Sequence, residues 1–266
     1  MKNVVMPLVC CIALFGCDSG PKLADLCEKE PRMCKEFKED SWCKKERKTT
    51  LFAAVALKNS DNDEVKHDLL IAYERYYKCV KFSSKIEHIK LKQKKTDRVA
   101  NYVNLQKRIA ALSDDTIDSN HPSLLFYHWT RHVNEDALKK FLAMEGSAAL
   151  ETSSAQFNLA THYIKRDTDK TLNLLFHALE LHEIGEKINT EIFKSLTTIF
   201  LDKKKYKLGY IWLRVLRLYD EESKVVKEKT LYNLSETYEL DTEFLDKVAE
   251  NTLRKIENNS FKSPKH

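Results

Sequence analysis

Apolar residues recur along this chain at the three-to-four spacing that lines one face of a helix. Trp42, Leu51, Phe52, Val55 and Ala56 make one stripe over residues 41–58, and Val65, Leu69, Ala72, Tyr76 and Val80 make the next over 63–82. Asn59-Ser60-Asp61-Asn62 separates them as a turn and N-cap, so the pair reads as an antiparallel hairpin. A third stripe, Ile86, Ile89, Val99, Tyr102, Val103, Leu105 and Ile109, forms the inner side of a lysine-rich helical stretch between Lys78 and Arg108. The polar run Ser113 to His121, with Asp114, Asp115 and Asp118, marks a subdomain boundary. Beyond it Pro122 opens a helix bearing Leu124, Leu125, Phe126, Trp129 and Val133. Asn134 caps another helix, Glu135 to Glu145, which stops at Gly146.

From residue 153 the pattern repeats. Leu159 and Tyr163 correspond to Leu196 and Phe200, 37 residues on, and to Leu234 and Tyr238, 38 beyond those. Leu172, Phe176 and Leu179 likewise fall on Gly209, Leu213 and Leu216. Each unit reads as helix, turn, helix, with turns near Arg166-Asp167-Thr168, Asp202-Lys203-Lys204 and Leu240-Asp241, and with Gly185 as the C-cap of the first. Gly209 falls inside a helix, where it costs about 1 kcal/mol against alanine. The expected compensation is close approach of a neighbouring helix. Over residues 153–256 this pattern resembles the tetratricopeptide-like superfamily of stacked helical hairpins. Glycine and proline number only five each, and between Arg32 and Ser263 the sole proline is Pro122. A sheet needs turn residues every 8 to 12 positions or so. The expected fold is therefore all-α: antiparallel helical hairpins, with a tetratricopeptide-like α-solenoid in the C-terminal half.

The N-terminus changes the chemistry open to the rest. Lys2 and the apolar run Val4 to Phe15 read as a secretory signal, too short for the roughly 20 apolar residues that span a bilayer. The run ends in Leu14-Phe15-Gly16-Cys17, which resembles the bacterial lipobox. That resemblance implies cleavage before Cys17, its lipidation, and membrane anchoring through several acyl chains on one residue. Asp18 directly after the lipidated position favours retention in the inner membrane in such systems.

Cys27, Cys34, Cys43 and Cys79 then remain, and in an oxidising compartment four cysteines read as two disulfides. Residues equidistant from a hairpin turn face each other, and residue 61 is the midpoint between Cys43 and Cys79. Those two pair, leaving Cys27 with Cys34 across Pro31. The expected organisation is a signal peptide over 1–16, a lipidated tether over 17–24, a disulfide-stapled helical subdomain over 25–112, a tetratricopeptide-like array over 122–256 and a disordered tail over 257–266. The lipobox, the four cysteines around Trp42 and the helical remainder together resemble an uncharacterised bacterial lipoprotein family, a resemblance that implies no catalytic residues.

A net charge of +5 with 32% charged residues is too balanced for a polyanion binder, and together with export it excludes a nucleic-acid partner. No phosphate loop is present, and no cofactor or metal is expected. His128 and His132 stand at i, i+4, but Trp129 occupies the position where a zincin carries glutamate. The lysines between Lys78 and Arg108 read as a solvated helix face in preference to a lipid-binding patch. No nucleophile and base stand out by spacing, so no catalytic residue is assigned and the chain is expected not to be an enzyme. A membrane-anchored, periplasm-facing interaction module for a protein or peptide is the leading expectation, with an envelope enzyme or a structural lipoprotein as alternatives. In helical-hairpin stacks the first helices line the groove, which nominates Gln156, Asn158, His162, Phe193, Thr197 and Tyr232 as binding residues.

Overall fold

The computed structural model describes residues 22–87, 92–220 and 226–264. Among these there are thirteen α-helices and no strand. The chain divides into two compact units at Asp115 and Thr116, inside the polar run that marked a boundary. The signal and Cys17 lie outside the described residues, as does most of the tether.

The first unit holds α1 (Leu23–Lys29), α2 (Pro31–Glu36), α3 (Lys44–Asn59), α4 (Asp63–Ser83) and α5 (Lys92–Asp115). Asn62 caps α4 by accepting from the Val65 amide at 3.0 Å, and α4 packs against both α3 and α5. Both bridges are formed: Cys27–Cys34 ties α1 to α2, and Cys43–Cys79 staples the entry of α3 to α4 at a Cα separation of 5.9 Å. Phe37, Leu51, Tyr76, Val80 and Leu105 are fully buried between the helices.

Two expectations fail in this unit. Trp42 is not a core position of the hairpin; it precedes α3, whose N-cap is Cys43, and stands 57% exposed. On α5 the exposed residues include Val99 and Val103, while Arg98 and Asn101 are buried with Leu105. The reason is that α5 faces a polar backbone segment. Residues 36–40, the last residue of α2 and the irregular segment after it, run past it, and their free backbone groups must find partners elsewhere. Asn101 accepts from the Lys38 amide at 2.7 Å and donates to the Lys38 carbonyl at 2.8 Å. Asn104 donates to the Glu36 carbonyl, and Arg47 of α3 donates to the carbonyls of Phe37 and Cys34, both at 3.0 Å. Arg98 completes the clamp with two bonds to the Asp40 carboxylate and one to the Ser83 carbonyl, each 2.9 Å.

The second unit holds α6 (Pro122–His132), α7 (Glu135–Ala143), α8 (Ser153–Tyr163), α9 (Thr168–Glu180), α10 (Thr190–Asp202), α11 (Tyr206–Tyr219), α12 (Glu228–Thr237) and α13 (Thr242–Glu257). The pairs α6/α7, α8/α9 and α10/α11 pack as hairpins, and α9 continues onto α10 in a solenoid-like stack. Thr152, Asp167, Asn189 and Asp241 cap their helices through side-chain oxygens. Leu159, Leu196 and Phe200 are buried as the repeat requires. A Cβ on Gly209 would fall 2.5 Å from Leu201 Cδ2 of α10, so the glycine is there for the close approach.

The third repeat departs from the pattern. In α12 it is Leu231 and Ser235 that are buried and Leu234 only half-buried. Both α12 and α13 rest on α11, so the last pair does not close as the first two do. Gly185 and Gly146 adopt left-handed φ in the loops after α9 and α7, beyond the helix ends where they were expected to act as caps. Val133 is itself left-handed (φ 54°) at the end of α6 and exposed. The tail over 257–266 was expected to be disordered, yet Phe261 is buried among Phe176 and Trp212, and the Ser263 amide donates to Glu180 at 2.6 Å. Past the left-handed turn at Asn259, the Phe261 ring and the Ser263 amide together dock the segment that follows α13.

Candidate interaction cleft

The six nominated binding residues are not brought together on one surface. Phe193, Thr197, Gln156 and His162 are buried. Thr197 donates to the Phe193 carbonyl at 2.8 Å, and Gln156 to the Leu150 carbonyl at 2.9 Å. His162 packs between Trp129 and Tyr163, with ring centroids at 5.5 and 4.8 Å, and burial lowers its pKa. These four hold the array together from inside: α8, which carries Gln156 and His162, packs on α6 and α9, and α10, which carries Phe193 and Thr197, packs on α9 and α11 and buries a wide arc. Its open side carries Lys194, Ser195, Thr198 and Asp202 instead. Asn158 is half-buried, and Tyr232, 63% exposed, lines a cleft.

That cleft, about 650 Å³, exists because α12 and α13 share α11 as their support. Tyr210 and Arg214 come from α11, Glu228, Leu231, Tyr232 and Ser235 from α12, and Asp246 from α13. Arg214 is the centre of a charge network: Nη1 meets both Glu228 oxygens at 3.1 Å, and Nη2 lies 3.4 Å from Asp246 Oδ2. Tyr210 donates its hydroxyl to Asp246 Oδ1 at 2.9 Å, and burial with that hydrogen bond pushes its pKa up to about 12. Arg217 adds a second cation to Glu228 at 3.3 Å. Arg214 Nε is enclosed and meets no acceptor. The result is a cleft with an apolar floor at Leu231, fixed charges of both signs on its walls, and an exposed tyrosine. Such a surface suits a polypeptide segment, which presents apolar side chains and backbone polar groups together.

The other candidate chemistry is occupied structurally. His128 and His132 sit with ring centroids 5.6 Å apart, but His128 is buried and its Nε2 is engaged by Thr116, at 3.1 Å from Oγ1 and 3.0 Å from the carbonyl. Burial lowers its pKa. Among the described residues no group of three or more His, Cys, Asp or Glu side chains could hold a metal ion, and every described cysteine is bridged. Sequence reasoning missed Arg214, Glu228 and Asp246; the one available signal was opposite charge at Arg214 and Glu228 on successive helices.

Fold and bridges define the class: an all-α chain of packed helical hairpins, two-unit, with a doubly disulfide-linked first unit. Within that class the chain belongs to the family described as "Protein of unknown function (DUF2989)", whose model matches residues 14–214. The matched span includes Cys17, all four bridged cysteines and, from the cleft, Tyr210 and Arg214. Searches of curated proteins and of solved structures returned no match.

Proposed function

We propose that this protein is a lipid-anchored helical interaction module that faces the periplasm and takes a protein or peptide segment into the cleft between α12 and α13. The cleft carries the reading: its size, its mixed charge and the exposed Tyr232 fit a polypeptide. The anchor is Cys17, following the lipobox-like Leu14-Phe15-Gly16, and Asp18 favours the inner membrane. No described helix is long and apolar enough to cross a membrane, so attachment in this reading falls to the lipid. We assign no catalysis, since the carboxylates of Glu228 and Asp246 are each engaged by Arg214. A photo-crosslinking residue placed at Tyr232 in cells should yield a discrete product. One placed at Phe244, exposed on α13 and absent from the cleft lining, should not. Equal products from both positions, or none from Tyr232, refute the cleft. For the anchor, Cys17→Ser should release a soluble form or leave the precursor uncleaved; a processed protein that stays on the membrane refutes it.

A further inference from the structure

We infer that the first unit carries its own membrane-contact face, an aromatic pair framed by cations that docks onto anionic lipid headgroups. Trp42 and Phe82 are 57% and 64% exposed, and their rings lie 6.3 Å apart. Large exposed aromatics side by side are unusual on a protein surface facing only water. They are also held in place. Cys43, next to Trp42, is bridged to Cys79, one turn before Phe82, and the Trp42 amide donates to Asp40, itself clamped by Arg98. Arg75, Lys78 and Phe82 follow i, i+3, i+7 and so share a stripe of α4. Lys45 of α3 joins Arg75 and Lys78 around a hollow of about 460 Å³ beside the bridge, with Glu46 as its one lining carboxylate. All three cations are exposed.

Tryptophan and phenylalanine beside lysines match a bilayer interface, where rings sit at headgroup depth and cations meet phosphates. The chain length outside the structure agrees. From Cys17 to Leu23 the backbone can span at most about 20 Å, so a lipid on Cys17 keeps this unit within reach of the surface. That orientation rests on the anchor proposed above; the affinity of the face does not.

The test therefore uses a chain beginning at Asp18, which lacks the lipid. It is mixed with vesicles of phosphatidylcholine alone or with added phosphatidylglycerol. Sedimentation with the vesicles should rise with the anionic fraction and fall with salt, and tryptophan emission should shift to the blue. Trp212 is buried and Trp129 half-buried, so the shift should vanish in Trp42→Phe. Lys45→Gln and Lys78→Gln should each weaken binding about fivefold, and Trp42→Ser with Phe82→Ser should weaken it further while the melting temperature holds. Absence of binding to anionic vesicles, or equal binding by all variants, overturns the inference. So does concentration-dependent self-association that Trp42→Ser abolishes without any vesicle binding, which would make the face a contact between copies. A Cys17 that proves unlipidated, with vesicle binding intact, removes the anchor and leaves this face standing.

Discussion

Replacing Asp40 by alanine tests the polar clamp at its most enclosed point. The side chains of Arg98 and Asp40 are 4% and 6% exposed, and two parallel bonds of 2.9 Å join them. Deleting the carboxylate leaves a guanidinium in a site from which water is excluded, and breaking a buried pair this way costs about 3–5 kcal/mol. The loss of the Trp42 amide bond adds to the same side. With total stability of order 5–15 kcal/mol, the first unit should lose a large fraction of its margin. At a urea m-value of about 2 kcal/mol/M the midpoint falls by roughly 2 M. Hydrogen exchange of the α4 and α5 amides against urea, on disulfide-intact protein, reads this unit separately from the second. The double variant Asp40→Ala with Arg98→Met should recover part of the loss, because an apolar pair needs no charge compensation. An Asp40→Ala protein within 1 kcal/mol of the parent, or a double variant whose loss equals the sum of the singles, would show that the pair is not clamping residues 36–40.

Leu196→Ala should cost about 2–5 kcal/mol as a buried cavity, whereas Tyr232→Ala should stay within about 0.5 kcal/mol; thermal melts of both separate the array's packing from its cleft. Val133→Gly should stabilise by about 1–2 kcal/mol, since a β-branched residue is strained at φ 54° and its side chain is exposed; a lower melting temperature would contradict that conformation. Burial holds the folded-state pKa values of His128 and His162 below the unfolded value of about 6.5. The unfolded chain then binds more protons under acid conditions, so this stability is complete above pH 6.5 and is lost as pH falls below it. His177 runs the opposite way: although burial opposes it, its hydrogen bonds and ion pairs with Glu151 and Glu180 raise its pKa. The measurement is therefore the difference in melting temperature between wild type and His128→Phe from pH 7.5 to 5.5, which should shrink in acid.

What the amino-acid pattern made legible is what apolar burial and covalent symmetry control. The α3/α4 hairpin follows from two stripes and a capped turn, and the Cys43–Cys79 bridge from equal distance to residue 61. Gly209 announced a close approach because nothing else excuses a glycine there, and Leu201 is what approaches. The binding arc was not legible. Periodicity identifies which residues of α10 are apolar, but the width of its buried arc depends on how many helices surround it, and that is a property of the assembled stack. Phe193 and Thr197 were therefore assigned to a groove that their own neighbours fill.

The misplacement on α5 has a different cause, and it bears on function. Hydrophobicity chooses the inner face of a helix correctly when the partner is another apolar face. Along α5 part of the partner is backbone, residues 36–40, some 60 positions earlier in sequence. A buried backbone amide or carbonyl must be answered by a polar side chain, so Arg98 and Asn101 go inward and Val99 and Val103 go out, reversing the apolar rule within two turns. The clamp fixes the segment that delivers Trp42 to the surface beside Phe82. A chain under selection only for a compact core could have filled this place with leucines and let residues 36–40 lie outside. Holding them by five side-chain bonds from Arg47, Arg98 and Asn101 instead makes mechanical sense when the residue they present, Trp42, has to meet something at a fixed position.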